Sequence, residues 1–181
     1  MPTRFDPFLN ASRRLGVPDV NPLPVFGAQF GQETVLNSSP YVLSYHDLFQ
    51  IYAEDKLRLA LINSLEIKLK FASELGLIID LVLIGGSFLR SNECPRDIDG
   101  LGFYHIKDYT NTDQAIRKFE SGNKNINCDL KICPVDCGTA IIIKRAIFFA
   151  NIFSYDKADK HLKFGTLLID TSALMPDGDS L

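Results

Sequence analysis

The chain has no apolar run long enough to cross a membrane. Its most hydrophobic stretch, Ile141–Ile152, is interrupted by Lys144 and Arg145, and a helical span needs about 20 apolar residues. The first residues, MPTRFDPFLNASRR, lack the charged-then-apolar layout of a secretory signal, so a cytoplasmic protein with no membrane partner is expected. Basic excess is missing as well. A net charge of −3 over 181 residues argues against binding nucleic acid by bulk electrostatics. The four cysteines, Cys94, Cys128, Cys133 and Cys137, form no CxxC pair, which weakens any zinc reading and leaves reduced thiols. His46, His105 and His161 have no ligand spacing, and there are no repeats or low-complexity tracts. What is left is a soluble globular chain, 46% hydrophobic, of a size for one domain with a true core.

Residues 1–40 are broken by Pro18, Pro22, Pro24, Gly27 and Gly31 and read as an extended arm. Its apolar residues, Phe26 and Phe30 among them, are expected to pack on the core, on a second subunit (a homodimer) or on a partner protein. Residues 41–181 read as the domain. Ser44 and Asp47 have capping-box spacing for a short helix to about Ala53. Asp55 then caps a longer helix, Lys56–Leu75, whose Leu57, Leu61, Leu65, Leu69, Ala72 and Leu75 share one face, with Gly76 as its stop. Strands are expected at Leu81–Ile84, Ile98–His105 and Ile126–Val135. Helices are expected at Asp113–Ser121, capped by Thr112, and at Gly138–Ser154. Phe164–Ile169 reads as a terminal strand and Met175–Leu181 as a frayed end. The fold class is α/β, α+β in stricter usage: a small mixed sheet with packed helices.

The densest signal lies in Leu81–Phe103, LVLIGGSFLRSNECPRDIDGLGF. A short buried strand runs into Gly85-Gly86-Ser87, where glycines let the backbone turn sharply and bring its N–H groups near a ligand. Ser87 adds a hydroxyl. Nine residues later comes Asp97-Ile98-Asp99. On a strand, residues two apart point the same way, so Asp97 and Asp99 share a face. Paired carboxylates repel unless neutralised, best by a hard divalent cation. A phosphate cradle beside such a site is equipment for phosphoryl or nucleotidyl transfer.

This Gly-Ser, nine-residue, Asp-x-Asp pattern resembles the signature of the DNA polymerase β-like nucleotidyltransferase superfamily, and most closely its small bacterial members. The resemblance is sharp over Leu81–Tyr104 and looser from about Pro40 to Leu174. It implies that Gly85, Gly86 and Ser87 hold the phosphates of an NTP and that Asp97 and Asp99 bind Mg²⁺ or Mn²⁺. It also implies a third carboxylate on the neighbouring strand, for which Asp129 has the right strand parity. The rival, Asp136, follows Pro134 and reads as a helix cap. Lys131, Arg96, Lys144 and Arg145 are candidate phosphate contacts, and Arg90 and Asn92 lie in the loop between the motif halves. The implied activity moves an NMP from an NTP to a hydroxyl of a protein, an RNA end or a small molecule, in a toxin or phage-defence setting for some members. The alternatives are a retired relative that binds nucleotide or a protein partner without catalysis, and an assembly module built on the arm.

Overall fold

A computed structural model describes residues 11, 17–18, 22–27, 37–90, 93–107, 112–122, 127–156 and 163–174. Its elements, in chain order, begin with β1 (Tyr41–Ser44), α1 (Tyr45–Ile51), α2 (Lys56–Glu74) and β2 (Leu77–Ile84). A 3-10 turn (Gly86–Leu89) leads to β3 (Ile98–Ile106), α3 (Thr112–Ser121), β4 (Cys128–Pro134), α4 (Thr139–Ser154) and β5 (Leu167–Asp170). A second 3-10 turn, Ser172–Leu174, closes the described chain. The five strands form one mixed sheet in the order β1-β5-β2-β3-β4. β3–β4 and β1–β5 pair parallel, whereas β2 pairs antiparallel with both β3 and β5. The α/β, α+β expectation therefore holds. No helix among the described residues is long and apolar enough to cross a membrane.

Local chemistry sets the element boundaries. Ser44 Oγ accepts from the Asp47 amide, and the Asp47 carboxylate accepts in turn from the Ser44 amide, so both halves of the capping box form. Asp55 caps α2 by accepting from the Arg58 amide. Gly76, at φ +79°, turns the chain out of α2, a conformation with little cost only for glycine. β2 starts at Leu77, four residues before the apolar run suggested. The strand passes Asp80 through a register shift between Ile79 and Leu81, and the Asp80 carboxylate bonds His105 Nδ1 at 2.8 Å. β1 and β5 are only four residues each, too short for periodicity to reveal; the expected terminal strand at Phe164–Ile169 shifts to Leu167–Asp170.

The sheet buries two unequal cores. On one face, α2 and α3 cover Leu77, Ile79, Val82, Ile84, Ile98, Tyr104, Leu130 and Ile132. On the other, α4 lays Phe153 over Leu83, Leu101 and Cys133. α2 corrects the sequence reading in its first turn and middle. Leu57 is exposed, while Arg58 and Lys68 are buried with Leu61, Leu65, Leu69 and Ala72.

The arm also differs from expectation. Phe26, expected to pack on the core or on another subunit, is 50% exposed in the single chain and so does not enter its core, where Leu23 is buried instead. Prolines on both sides fix Leu23, its carbonyl accepts from the Gly165 amide, and the Val25 carbonyl accepts from the Ser39 amide. Phe26 bridges to Ser38 with its ring turned outward. Phe30 lies outside the described residues. Leu23→Ala should therefore cost about 2–3 kcal/mol in urea unfolding through loss of a buried side chain. Phe26→Ala should leave the midpoint nearly unchanged, and equal effects would contradict this packing.

Candidate functional site

β2 ends at Ile84, and the chain passes through Gly85 into the 3-10 turn that begins at Gly86. The two glycines have different physical reasons. A Cβ on Gly85 would stand 2.6 Å from Phe153 Cβ and 3.1 Å from the Phe153 carbonyl oxygen, so this position lets α4 close onto the sheet. Gly86 has φ +71°, and the nearest atom to a Cβ built there is Asp99 Oδ2 at 3.8 Å. The constraint at Gly86 is thus backbone conformation, since a Cβ there would meet the Asp99 carboxylate only at ordinary van der Waals distance. Phe88 and Leu89 anchor the turn in the core, and Ser87 stays half-exposed.

Two buried arginines hold the loop that follows. Arg58 reaches up from α2, where Nε donates to the Phe88 carbonyl at 2.8 Å and Nη2 to the carbonyls of Arg90 and Glu93. Its Nη1 donates to Asp55 Oδ2 at 2.6 Å, and the Arg58 amide and guanidinium together hold the Asp55 carboxyl below its ordinary range. Arg90, expected near a nucleotide, is turned inward. Its Nη1 donates to Glu93 Oε1 at 2.6 Å and to Asp156 at 3.2 Å, and its Nη2 donates to the Tyr155 carbonyl at 2.9 Å. The guanidinium also stacks 4.6 Å from the Phe164 ring. The loop is thereby tied to the start of α2 and to the end of α4.

Past the loop, Asp97 is exposed one residue before β3, and Asp99 sits half-buried within it. Asp99 and Asp129 are register partners on the parallel β3–β4 pair, so both lie on the sheet face that also carries α4. Asp129 is exposed and its Oδ1 pairs with Lys131 Nζ at 2.9 Å. Among the described residues, no group of three His, Cys, Asp or Glu side chains is gathered closely enough to hold a metal ion. The strands thus bring Asp99 and Asp129 side by side, with Gly86 against Asp99, without drawing all three carboxylates into one cluster.

A cleft of about 690 Å³ runs around the outer strand, lined by Lys68, Arg96, Asp97, Asn127, Asp129 and Lys131 among others. Sequence reasoning missed Lys68, because a lysine on a helix usually reads as solvated. Its Nζ donates to the carbonyls of Phe119 and Gly122 at 3.0 and 3.2 Å, satisfying the end of α3, and it lies 4.3 Å from the Phe119 ring centroid. Burial pulls the Lys68 ammonium below its ordinary range. Burial also pushes the Cys128 thiol up to about 12, so it stays protonated and is a poor nucleophile. All four cysteines are free thiols. Arg145 does not reach the site, since its Nη1 donates to the Ile132 carbonyl at 2.9 Å. Asp136 is no helix cap either: the N-cap of α4 is Gly138, with no side-chain cap bond. Asn92 lies outside the described residues.

The fold and site define a mixed-sheet domain with a glycine turn beside a carboxylate pair on β3 and the edge strand β4. The chain belongs to the family of unknown function DUF6932, whose model matches residues 28–170 and so spans the turn and all three aspartates. No curated protein and no solved structure matches it.

Two outcomes follow from this geometry. Arg58→Met should lower stability by roughly 3–5 kcal/mol in denaturant unfolding, because three backbone carbonyls lose their donor and Asp55 keeps only the residue-58 amide; a loss under about 1 kcal/mol would mean the loop holds itself. Gly86→Ala should cost about 1–2 kcal/mol from left-handed backbone strain alone, seen as a lower melting temperature with no ligand present.

Proposed function

We propose that the protein transfers a nucleoside monophosphate from an NTP to a hydroxyl acceptor. The observation that carries this reading is the register pairing of Asp99 with Asp129, beside a Gly86 turn that lies against the Asp99 carboxylate. The donor set fits a hard divalent cation, being all carboxylate. Asp97, Asp99 and Asp129 would hold Mg²⁺ or Mn²⁺, which when bound neutralises triphosphate charge and acidifies an attacking hydroxyl. Asp129 would have to leave Lys131 to join the other two, and its exposed position on the outer strand leaves it free to turn.

The chain's own residues then have distinct tasks. The Gly85-Gly86 backbone and the Ser87 hydroxyl would bind phosphate oxygens. Arg96 and Lys131, at the cleft, would balance the charge of the triphosphate or acceptor. Arg58 would keep the loop between Ser87 and Asp97 at fixed length. In the reaction, the acceptor oxygen bonds to the α-phosphorus, the α–β bridging bond breaks, pyrophosphate departs and the hydroxyl proton passes to solvent. The acceptor is a protein side chain, an RNA end or a small molecule.

One observation favours the second reading, a nucleotide-binding or protein-interaction module without catalysis. It is the Asp129–Lys131 pair, with no three-carboxylate cluster among the described residues. The two readings separate on labelled ATP, GTP, CTP and UTP, each incubated with Mg²⁺ or Mn²⁺ and cell lysate, alongside calorimetric titration of the same nucleotides. Transfer predicts label on protein, RNA or a small molecule. Asp129→Asn should lower that labelling at least 100-fold while changing Mg·NTP affinity less than about 3-fold, whereas Asp99→Asn should weaken both. Binding without labelling by the wild-type protein selects the module, and neither binding nor labelling rejects both.

A further inference from the structure

Two of the four thiols meet in space. Cys133, near the end of β4, is fully buried in the small core under α4, and Cys137 stands half-exposed just ahead of that helix. Their sulfurs are 4.0 Å apart, and the Cys133 sulfur also lies 3.8 Å from the Pro134 carbonyl oxygen. The turn between them is held on both sides. The Val135 amide donates to the Tyr104 carbonyl at 2.9 Å, and Arg145 Nη1 donates to the Ile132 carbonyl at 2.9 Å. The sulfur contact therefore belongs to the folded connection between β4 and α4. Burial pushes the Cys133 thiol up, Cys137 beside it adds to the rise, and the Arg145 guanidinium opposes both.

The helix that follows starts with little support. Its N-cap is Gly138, at φ +94°, with no side-chain bond to the amides of the first turn. α1 and α2, by contrast, carry the Ser44 and Asp55 caps. A covalent link from Cys137 back to β4 would supply what the glycine lacks.

We propose that Cys133 and Cys137 form a reversible disulfide that clasps the start of α4 to the end of β4, with a small-molecule disulfide as the oxidant. Cys137 is the sulfur that solvent reaches, and as thiolate it attacks one sulfur of the oxidant. The external S–S bond breaks and one small thiolate leaves. Cys133 then gives up its proton and attacks Cys137 Sγ, expelling the second small thiolate. The two cysteines lose two electrons and two protons, and one external disulfide becomes two thiols. An external thiol attacking Cys137 reverses the sequence. Bonding draws the sulfurs to about 2.05 Å, and Cys137, outside both elements, has room to turn. The clasp stands apart from nucleotide transfer, since it lies near the opposite end of β4 from Asp129.

The test is treatment of the folded wild-type protein with oxidised glutathione, followed by alkylation in denaturant, tryptic digestion and mass spectrometry. Cleavage after Lys131 and Lys144 puts both cysteines on one peptide, Ile132–Lys144, while Cys94 and Cys128 fall on others. That peptide should appear unalkylated and lighter by two hydrogen atoms, and dithiothreitol should restore it. Residues four apart can also close in an unfolded chain, so the ratio of oxidised to reduced peptide is measured in urea as well. The folded protein should exceed the unfolded chain by at least about tenfold at the same glutathione ratio. Oxidation should also slow hydrogen exchange at the Ile141 and Ile142 amides, which donate to the Gly138 carbonyl, by about tenfold or more. The Cys137→Ser variant, altered at a half-exposed position, should leave Cys133 reduced. Alkylation of both cysteines overturns the proposal, as does glutathione retained on either one. An equal ratio in urea overturns the claim that the fold presents the pair, and unchanged exchange overturns the clasp on α4. Oxidation of Cys133 in the Cys137→Ser variant overturns the order of attack.

Discussion

The Arg58 guanidinium is the contact on which the site depends. Ile84 ends β2 and Ile98 begins β3, so the stretch 85–97 must leave the sheet and return to it. Backbone groups in such an excursion lose their ladder partners, and each one left buried without a partner is costly. Arg58 places one planar group of donors against three of those carbonyls and anchors itself on the Asp55 cap. A lysine would bring a single charged point to the same place and could not serve the fork. The loop that separates the glycine turn from Asp97 is therefore held by a helix on the far side of the core. Arg90 fixes its other flank against Tyr155, Asp156 and Phe164.

Much of this was legible in the sequence wherever local chemistry decides the outcome. The Ser44–Asp47 box, the Asp55 cap and the Gly76 stop are short-range signals, and each takes the expected form, as does the leucine period of α2 from Leu61 to Leu69. The Asp99–Asp129 pairing was also readable, since strand parity puts both carboxylates on one face once β3 and β4 run side by side. Buried charge was not readable. Arg58, Lys68 and Arg90 lie inside because distant carbonyls need donors, and no local pattern records where those carbonyls end up. In the first turn of α2 this need displaces Leu57 outward, against the hydrophobic period. The arm shows the same limit: Leu23 and Phe26 look equally suited to a core, and only the hydrogen bonds from Gly165 and Ser39 decide which one enters it.

Helix α4 is a different kind of case. Periodicity locates a buried face by contrast with a polar one, and α4 offers almost no contrast. Its sequence gives its length but not its orientation, which is settled by the fit of Phe153 against Gly85. That contact also makes the glycine turn and the end of α4 a single packed unit. Whatever lies on α4 therefore sits one layer from the residues proposed to hold nucleotide.

β4 lies at the margin of the sheet, and a strand in that place is a template on which other chains can add. Natural sheets protect such margins with charge, proline or a covering side chain. β4 has all three. Asp129 and Lys131 are exposed along it, Pro134 closes it, and Arg145 occupies the Ile132 carbonyl. The charged pair in the candidate site thus has a second duty, guarding the chain against edge-to-edge polymerisation. Replacing those charges by apolar residues would put solubility at risk before any question of catalysis arose.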